Sequence, residues 1–155
     1  MFKNIHIYDL DGVLVDTSHR YRNLPTGMID LDYWIENHTP ENMAKDTLLP
    51  LVSQYRADIA NPEIYVIICT ARQDSEIDRA YIRDYLGMPN KLIMRPRGNN
   101  TADAILKRRQ LSRLFNLRQF QKTVKRFWDD NRKNLDALQH YGVTCFHVTS
   151  KQGHL

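Results

Sequence analysis

Two aspartates one residue apart, Asp9-Leu10-Asp11, are followed at once by Gly12 where the alternating segment Asn4 to Tyr8 gives out. A second acidic pair, Asp129-Asp130, ends another apolar run. Carboxylates gathered at one edge of a sheet repel and raise one another's pKa. A divalent cation removes that objection, and hard oxygen donors in this number suit Mg²⁺. The expected ligands are Asp9, the backbone carbonyl of Asp11, and Asp129 or Asp130. Such a centre fits phosphate ester chemistry, where the ester's own negative charge must be offset before a carboxylate can approach phosphorus in line. Asp9 is the expected nucleophile. Asp11 is the expected general acid and base, protonating the leaving oxygen and later activating water. Gly12 lets the backbone turn sharply behind them.

The other polar strand ends agree with that chemistry. Thr70-Ala71-Arg72 closes a second apolar run, where the Thr70 hydroxyl either donates to phosphate or caps a following helix. Arg95-Pro96-Arg97-Gly98 follows a third, and Arg97 is assigned to substrate binding with Arg72. Ligands bind outside the carboxyl ends of the strands in an open parallel sheet.

The elements that hold these ends read as alternating strands and helices. Strands are expected at Asn4–Tyr8, 64–70, Lys91–Met94, Thr123–Trp128 and Val143–Val148; the 64–70 run is apolar throughout, as in a strand buried on both faces. Helices are expected over Ser75–Leu86 with Gly87 as stop, over Ala102–Phe115 capped by Thr101, and from Asn131 through Tyr141 closed by Gly142. The fold class is therefore α/β, a three-layer α/β/α sandwich around a central parallel sheet. Residues 1–155 are expected to form one domain, with a small helical insert around 17–62. There a loop near Leu24-Pro25-Thr26-Gly27 precedes a helix over Glu41–Ala57, kinked at Pro50. The insert is too short for a large lid, so the site should be fairly open.

Composition narrows the class further. With 42% hydrophobic and 26% charged residues, the chain reads as a globular protein. No apolar run approaches the roughly 20 residues that cross a membrane, and no signal peptide is apparent, so a cytoplasmic location is expected. Cys69 and Cys145 lie in apolar runs and read as buried free thiols; the six histidines show no zinc-ligand spacing. Charge is uneven. Residues 1–90 carry 8 Lys/Arg against 14 Asp/Glu, and residues 91–126 carry 11 against 1. A polyanionic partner beside a metal site would suit that asymmetry; a helix with a solvated basic face would produce it too.

Asp9-Leu10-Asp11-Gly12-Val13-Leu14, Thr70, Lys107 and Asp129-Asp130 resemble, in order, the four motifs of the haloacid dehalogenase superfamily of phosphohydrolases. The resemblance spans nearly the whole chain and implies that superfamily's Rossmann-like fold with a minimal cap. Within the superfamily the chain is similar to the phosphatase domain of bacteriophage-type polynucleotide kinase-phosphatases, which removes 3′-phosphates from nucleic acid ends. Arg20 stands where that family has an arginine needed for activity, Arg72 where it also uses an arginine, and Asp103 and Lys107 match its Asp–Lys pair. The resemblance implies that Asp103 aims Lys107 at the phosphoryl group, and that Arg20 and Arg72 bind substrate. No GxxxxGK[ST] loop is present, so no kinase activity is implied.

Three functions follow as expectations: a 3′-phosphatase for nucleic acid ends, a phosphatase for free nucleotides or another small metabolite, and an inactive module that keeps the fold and binds nucleic acid. The intact Asp9, Asp11 and Lys107 argue against the last. Arg108, Arg109, Arg113, Arg118, Lys122, Lys125 and Arg126 are read as a solvated basic face able to meet a nucleic acid backbone. Tyr33 and Trp34 are read as core or lid packing, with stacking on a base as the alternative.

Overall fold

Along the first strand, Ile5 and Ile7 point to one side while His6 and Tyr8 point to the other, and this alternation makes three layers. The computed structural model describes residues 1–149; residues 150–155 of the expected domain lie outside the described residues. Five strands form one parallel sheet in the order β5-β4-β1-β6-β7: β1 Asn4–Tyr8, β4 Ile64–Gln73, β5 Lys91–Arg95, β6 Val124–Asp129 and β7 Val143–His147. A separate antiparallel pair, β2 Val15–Asp16 and β3 Thr47–Leu48, lies beyond the end of β1.

On one face, Ile5, Ile7, Ile67 and Phe127 pack with Leu111, Leu114 and Phe115 of α5 Asp103–Phe115 and with Leu135 and Leu138 of α6 Arg132–Leu138. On the other, Tyr8, Val66, Ile68 and Trp128 pack with Val52 and Tyr55 of α3 Leu51–Ile59 and Tyr81 of α4 Glu76–Tyr81. Each such side chain contributes about 1.5–3 kcal/mol on full burial. The second face also carries a polar network. Arg126 donates to His6 Nε2 (3.2 Å), so His6 Nδ1 bears the proton and donates to Asp58 (2.7 Å). The Tyr8 hydroxyl donates to the same carboxylate oxygen at 2.6 Å.

The α/β class and the five parallel strands agree with the expectation. Several boundaries differ. The Ser75–Leu86 helix is α4, capped by the Ser75 hydroxyl, followed by a π turn over Ile82–Leu86 that Gly87 ends at φ +96°. Asn131 caps α6 as expected, with Gly142 left-handed after a 3₁₀ turn over Gln139–Tyr141. Thr101 does not cap α5: Ala102 holds the cap position, and the Thr101 amide is bound by Asn99.

The 17–62 segment differs most. Pro50 does not kink a helix there; it begins one, because proline lacks the N–H that a helix interior would need. Instead of one helix over Glu41–Ala57 there are α2 Pro40–Met43, β3 and α3. A further helix, α1 Leu31–Glu36, is capped by Asp30. No helix among the described residues is long and apolar enough to cross a membrane.

Candidate active site

Parallel alignment brings the carboxyl ends of β1, β4 and β6 to one edge. Tyr8 lies beside Ile68 and Trp128, and the Asp9 amide extends the ladder to the Trp128 carbonyl at 2.9 Å. The residues that follow these pairs therefore converge. Asp9, Asp129 and Asp130 each offer a carboxylate oxygen within 4.8 Å of the others. Burial, and then the Asp129 charge, raise the Asp9 carboxyl well above its ordinary value. Burial, with Asp129 adding to it, pushes Asp130 up to about 6. This is the electrostatic signature of a cluster short of positive charge. Three hard, mutually repelling oxygens at this spacing fit a divalent cation such as Mg²⁺.

One positive charge is supplied by the protein. Lys107 reaches from α5 with its ammonium 3.0 Å from Asp9 Oδ1 and 2.9 Å from Asp129 Oδ2, and it is 1% exposed. Burial alone would discharge it; the Asp9 and Asp129 charges outweigh that and hold its pKa above the ordinary value. Asp129 is fixed further by Asn134 Nδ2 on Oδ2 (3.0 Å) and by the Asn131 amide on Oδ1 (2.9 Å). Asn134 was not foreseen from the sequence; its only signal is its place in the first turn after the acidic pair.

Gly12 does more than turn the chain. Its φ is +78°, and a Cβ there would lie 2.3 Å from Asp130 Oδ2. A side chain would push that carboxylate out of the cluster.

The Asp11 carboxylate is not part of the metal-like cluster. It is clamped by Arg72, with Nε to Oδ2 at 2.9 Å and the second terminal nitrogen to Oδ1 at 2.6 Å, and Thr17 Oγ1 donates to it at 3.3 Å. Only the Asp11 backbone carbonyl is left as a candidate metal ligand. Burial pulls its pKa up, but the Arg72 charge and hydrogen bonds prevail and hold Asp11 below its ordinary value. The Thr70 hydroxyl oxygen accepts the Arg72 amide at 3.2 Å and does not cap a helix; Ser75 does that.

Three predicted site residues meet partners other than those expected. Asp103 does not pair with Lys107. The turn between them points Lys107 into the protein, while exposed Asp103 bonds Arg95 at 2.5 Å. Arg20, expected to bind substrate, faces inward. It is 1% exposed and binds Asp46 through two nitrogens at 2.9 Å. Arg97 is exposed and donates to the Asp74 carbonyl at 3.4 Å, whereas Arg95 lines the cleft.

Beside the carboxylates opens a cavity of about 440 Å³. Its polar end holds Asp11, Asp130, Arg72 and Arg95, and its apolar wall is Tyr21, Ile29, Leu31 and Trp34. Trp34 lies over the Arg20 guanidinium at 4.4 Å and near that of Arg72 at 5.3 Å. Tyr33 instead covers Arg22 at 4.2 Å. Arg108, Arg109 and Arg113 are exposed on α5 and do not line the cavity.

The family model for the bacteriophage T5 5′-deoxynucleotidase matches residues 1–149. The 5′-deoxynucleotidase of Escherichia phage T5 is 37% identical over 82 residues, 51% of this chain and 34% of that relative, so the match spans about a third of its length. Among solved structures, the Pnkp1/Rnl/Hen1 complex superposes with a TM-score of 0.66 at 21% identity, covering 95% of this chain and 46% of that one. A haloacid dehalogenase-like hydrolase from Streptococcus pneumoniae gives 0.67 at 10% identity (93% and 83% covered). A haloacid dehalogenase-superfamily hydrolase from Geobacter sulfurreducens gives 0.61 at 14% (93% and 86%). The fold is therefore that of the haloacid dehalogenase superfamily.

Proposed function

The chain belongs to the bacteriophage T5 5′-deoxynucleotidase family, and from that membership and the shape of its cleft we propose a Mg²⁺-dependent phosphatase that hydrolyses deoxynucleoside 5′-monophosphates. The observation that carries the reading is the cavity: one end holds Asp11 and Asp130, the latter offering an oxygen within 4.8 Å of one from Asp9, and the other end is an apolar wall of Tyr21, Ile29, Leu31 and Trp34. Pockets of a few hundred Å³ with few polar groups suit small ligands.

The chemistry follows from the residues in place. With Oδ1 held by Lys107, the Asp9 carboxylate attacks phosphorus; the new P–O bond forms as the bond to the sugar oxygen breaks. Asp11 gives that oxygen its proton. Arg72 keeps Asp11 ionised in the free protein, and the incoming phosphate's negative charge favours the proton uptake that arms it. In the second step Asp11 takes a proton from water, which attacks phosphorus and releases phosphate from Asp9. Mg²⁺, held by Asp9, the Asp11 carbonyl and Asp129 or Asp130, would offset the phosphate charge. Arg72 uses three of its five N–H donors internally, which leaves two for phosphate oxygens.

Removal of the metal should abolish turnover, and adding Mg²⁺ back should restore it. A second readout needs no activity. The raised Asp130 means the metal-free fold binds more protons than the unfolded chain, so its stability falls as pH rises from about 4 to about 6. Mg²⁺ competes with those protons. The Mg²⁺-induced rise in Tm should therefore be small at pH 5 and reach its plateau above pH 6. An equal rise at both pH values would take Asp130 out of the metal site.

The second reading is a 3′-phosphatase for nucleic acid ends, favoured by the exposed Arg108, Arg109 and Arg113. Phosphate release from a deoxynucleoside 5′-monophosphate, a 3′-phosphorylated oligonucleotide and a 5′-phosphorylated oligonucleotide separates the two. The mononucleotide should react fastest and respond weakly to salt. Faster oligonucleotide hydrolysis with a steep salt dependence would move the assignment to nucleic acid ends. A folded, Mg²⁺-loaded protein inert to all three would leave only a binding role.

A further inference from the structure

The acid-base carboxylate is held by an arginine, and that arginine is itself held by a carboxylate the chemistry above does not use. Asp78, in α4, is 1% exposed and accepts the remaining Arg72 terminal nitrogen on Oδ1 at 2.7 Å. Its other oxygen receives the Ser75 hydroxyl at 2.8 Å and His38 Nε2 at 3.2 Å. The His38 tautomer is fixed by its neighbours. Arg20 can only donate to Nδ1 (3.1 Å), so the proton sits on Nε2 and points at Asp78. His38 belongs to the insert and Asp78 to the sheet's own helices, so this bond joins the two.

We infer that Asp78, oriented by His38 and Ser75, is a positioning residue that acts through Arg72 to aim the Asp11 carboxylate. A bare arginine could reach one carboxylate in several rotamers. Anchored at the far nitrogen, its planar fork can present the other two in one orientation only, which sets the plane of Asp11. The cost points the same way. Burying a carboxylate carries a desolvation cost that its ion pair barely returns, so stability alone is a weak reason to keep Asp78 where it is. Burial would raise its pKa, yet the His38 hydrogen bond and the Arg72 charge bring it to about 2, which leaves it a fixed anion at every working pH.

The inference rests on Asp11 as the proton donor, and the test separates the two claims. A sugar alkoxide leaves poorly and needs its proton; p-nitrophenolate leaves well and hardly does. The values of kcat/KM report the step in which the leaving group departs, and are compared for a deoxynucleoside 5′-monophosphate and p-nitrophenyl phosphate at saturating Mg²⁺. Asp11→Asn should lose on the order of 10²–10⁴-fold on the nucleotide and much less on the aryl ester. Asp78→Asn should lose about 10²-fold on the nucleotide, the cost of a misplaced group, and again much less on the aryl ester. Asn keeps one oxygen for Arg72 but turns an N–H against that of His38.

Should Asp78→Asn fail to fold, His38→Ala reads the same tilt from the insert side. His38→Gln, whose amide offers both an N–H donor and an oxygen acceptor, should restore the wild-type ratio. Equal losses on both substrates, or a fall in Tm with kcat/KM unchanged in the folded protein, would make Asp78 and His38 structural and overturn the inference. No tilt in Asp11→Asn would instead remove Asp11 as the donor. A wild-type protein inert to both esters would sink the proposed function and the inference with it.

Discussion

Asp9→Asn should leave a folded protein with turnover reduced by at least about 10³-fold, the scale on which removing a covalent nucleophile is felt. The change is nearly isosteric: an amide oxygen can still accept from Lys107, and Lys107 keeps Asp129. Stability without metal should hold or rise. Burial and Asp129 both disfavour the Asp9 anion, so a neutral group in its place relieves repulsion. The direct readout is the phosphoenzyme. Wild-type protein quenched during turnover should carry hydroxylamine-labile phosphate, and the variant should carry none. A folded variant with near wild-type rate, or with wild-type phosphoenzyme, would remove Asp9 as nucleophile.

Lys107→Met carries the other large expectation, on stability and rate together. Met fills much the same volume without charge, so the packing of α5 survives while Asp9 and Asp129 lose their shared counter-charge. Breaking a buried pair by removing one partner costs about 3–5 kcal/mol. Urea unfolding of the metal-free variant should show a loss of that size, because both carboxylates lie in the interior. Saturating Mg²⁺ should narrow the gap, since it returns positive charge to the same oxygens. Turnover should fall by about 10²–10³-fold even with metal, as when one fixed donor to developing charge is lost. Unchanged stability without metal would mean that the ammonium contributes nothing net to the cluster.

The parts of this site that could be read from the sequence are those set by local pattern. Apolar runs leading into Asp9, Thr70 and Asp129 locate three strands, and parallel pairing then makes them neighbours, although β4 runs on past Thr70 to Gln73. What could not be read is direction. The Asp103–Lys107 spacing is a sound helical pair, but Lys107 and its partner Asp9 are 98 positions apart, and only the docking of α5 decides which way it turns. Arg20 and Arg72 are expected to bind substrate, yet the anions their guanidinium groups meet in the fold are Asp46, Asp11 and Asp78. The basic run 91–126 did not form one face. Lys107 and Lys125 are buried and Arg95 is tied into the loop before α5, so charge summed along the chain overstated charge on the surface. Pro50 has the same cause: proline marks a break, and the pattern around it fits a kink as well as a start.

The central place of β1 has a cost during synthesis. One neighbour, β4, is made some 60 residues later, and the other, β6, later still: His6 meets Arg126 across 120 positions. None of the five strands pairs with its neighbour through a tight hairpin, so no part of the sheet can form early from local contacts. At about 5–20 residues per second, the ribosome keeps β1 waiting for β6 for roughly 6–24 s. During that time the strand that bears the nucleophile exposes an unpaired apolar edge, the kind that templates pairing with other chains. Translation stalled between β4 and β6 should therefore yield aggregates, where a stall late enough for β6 to have left the ribosome should yield a chain able to close its sheet around Asp9.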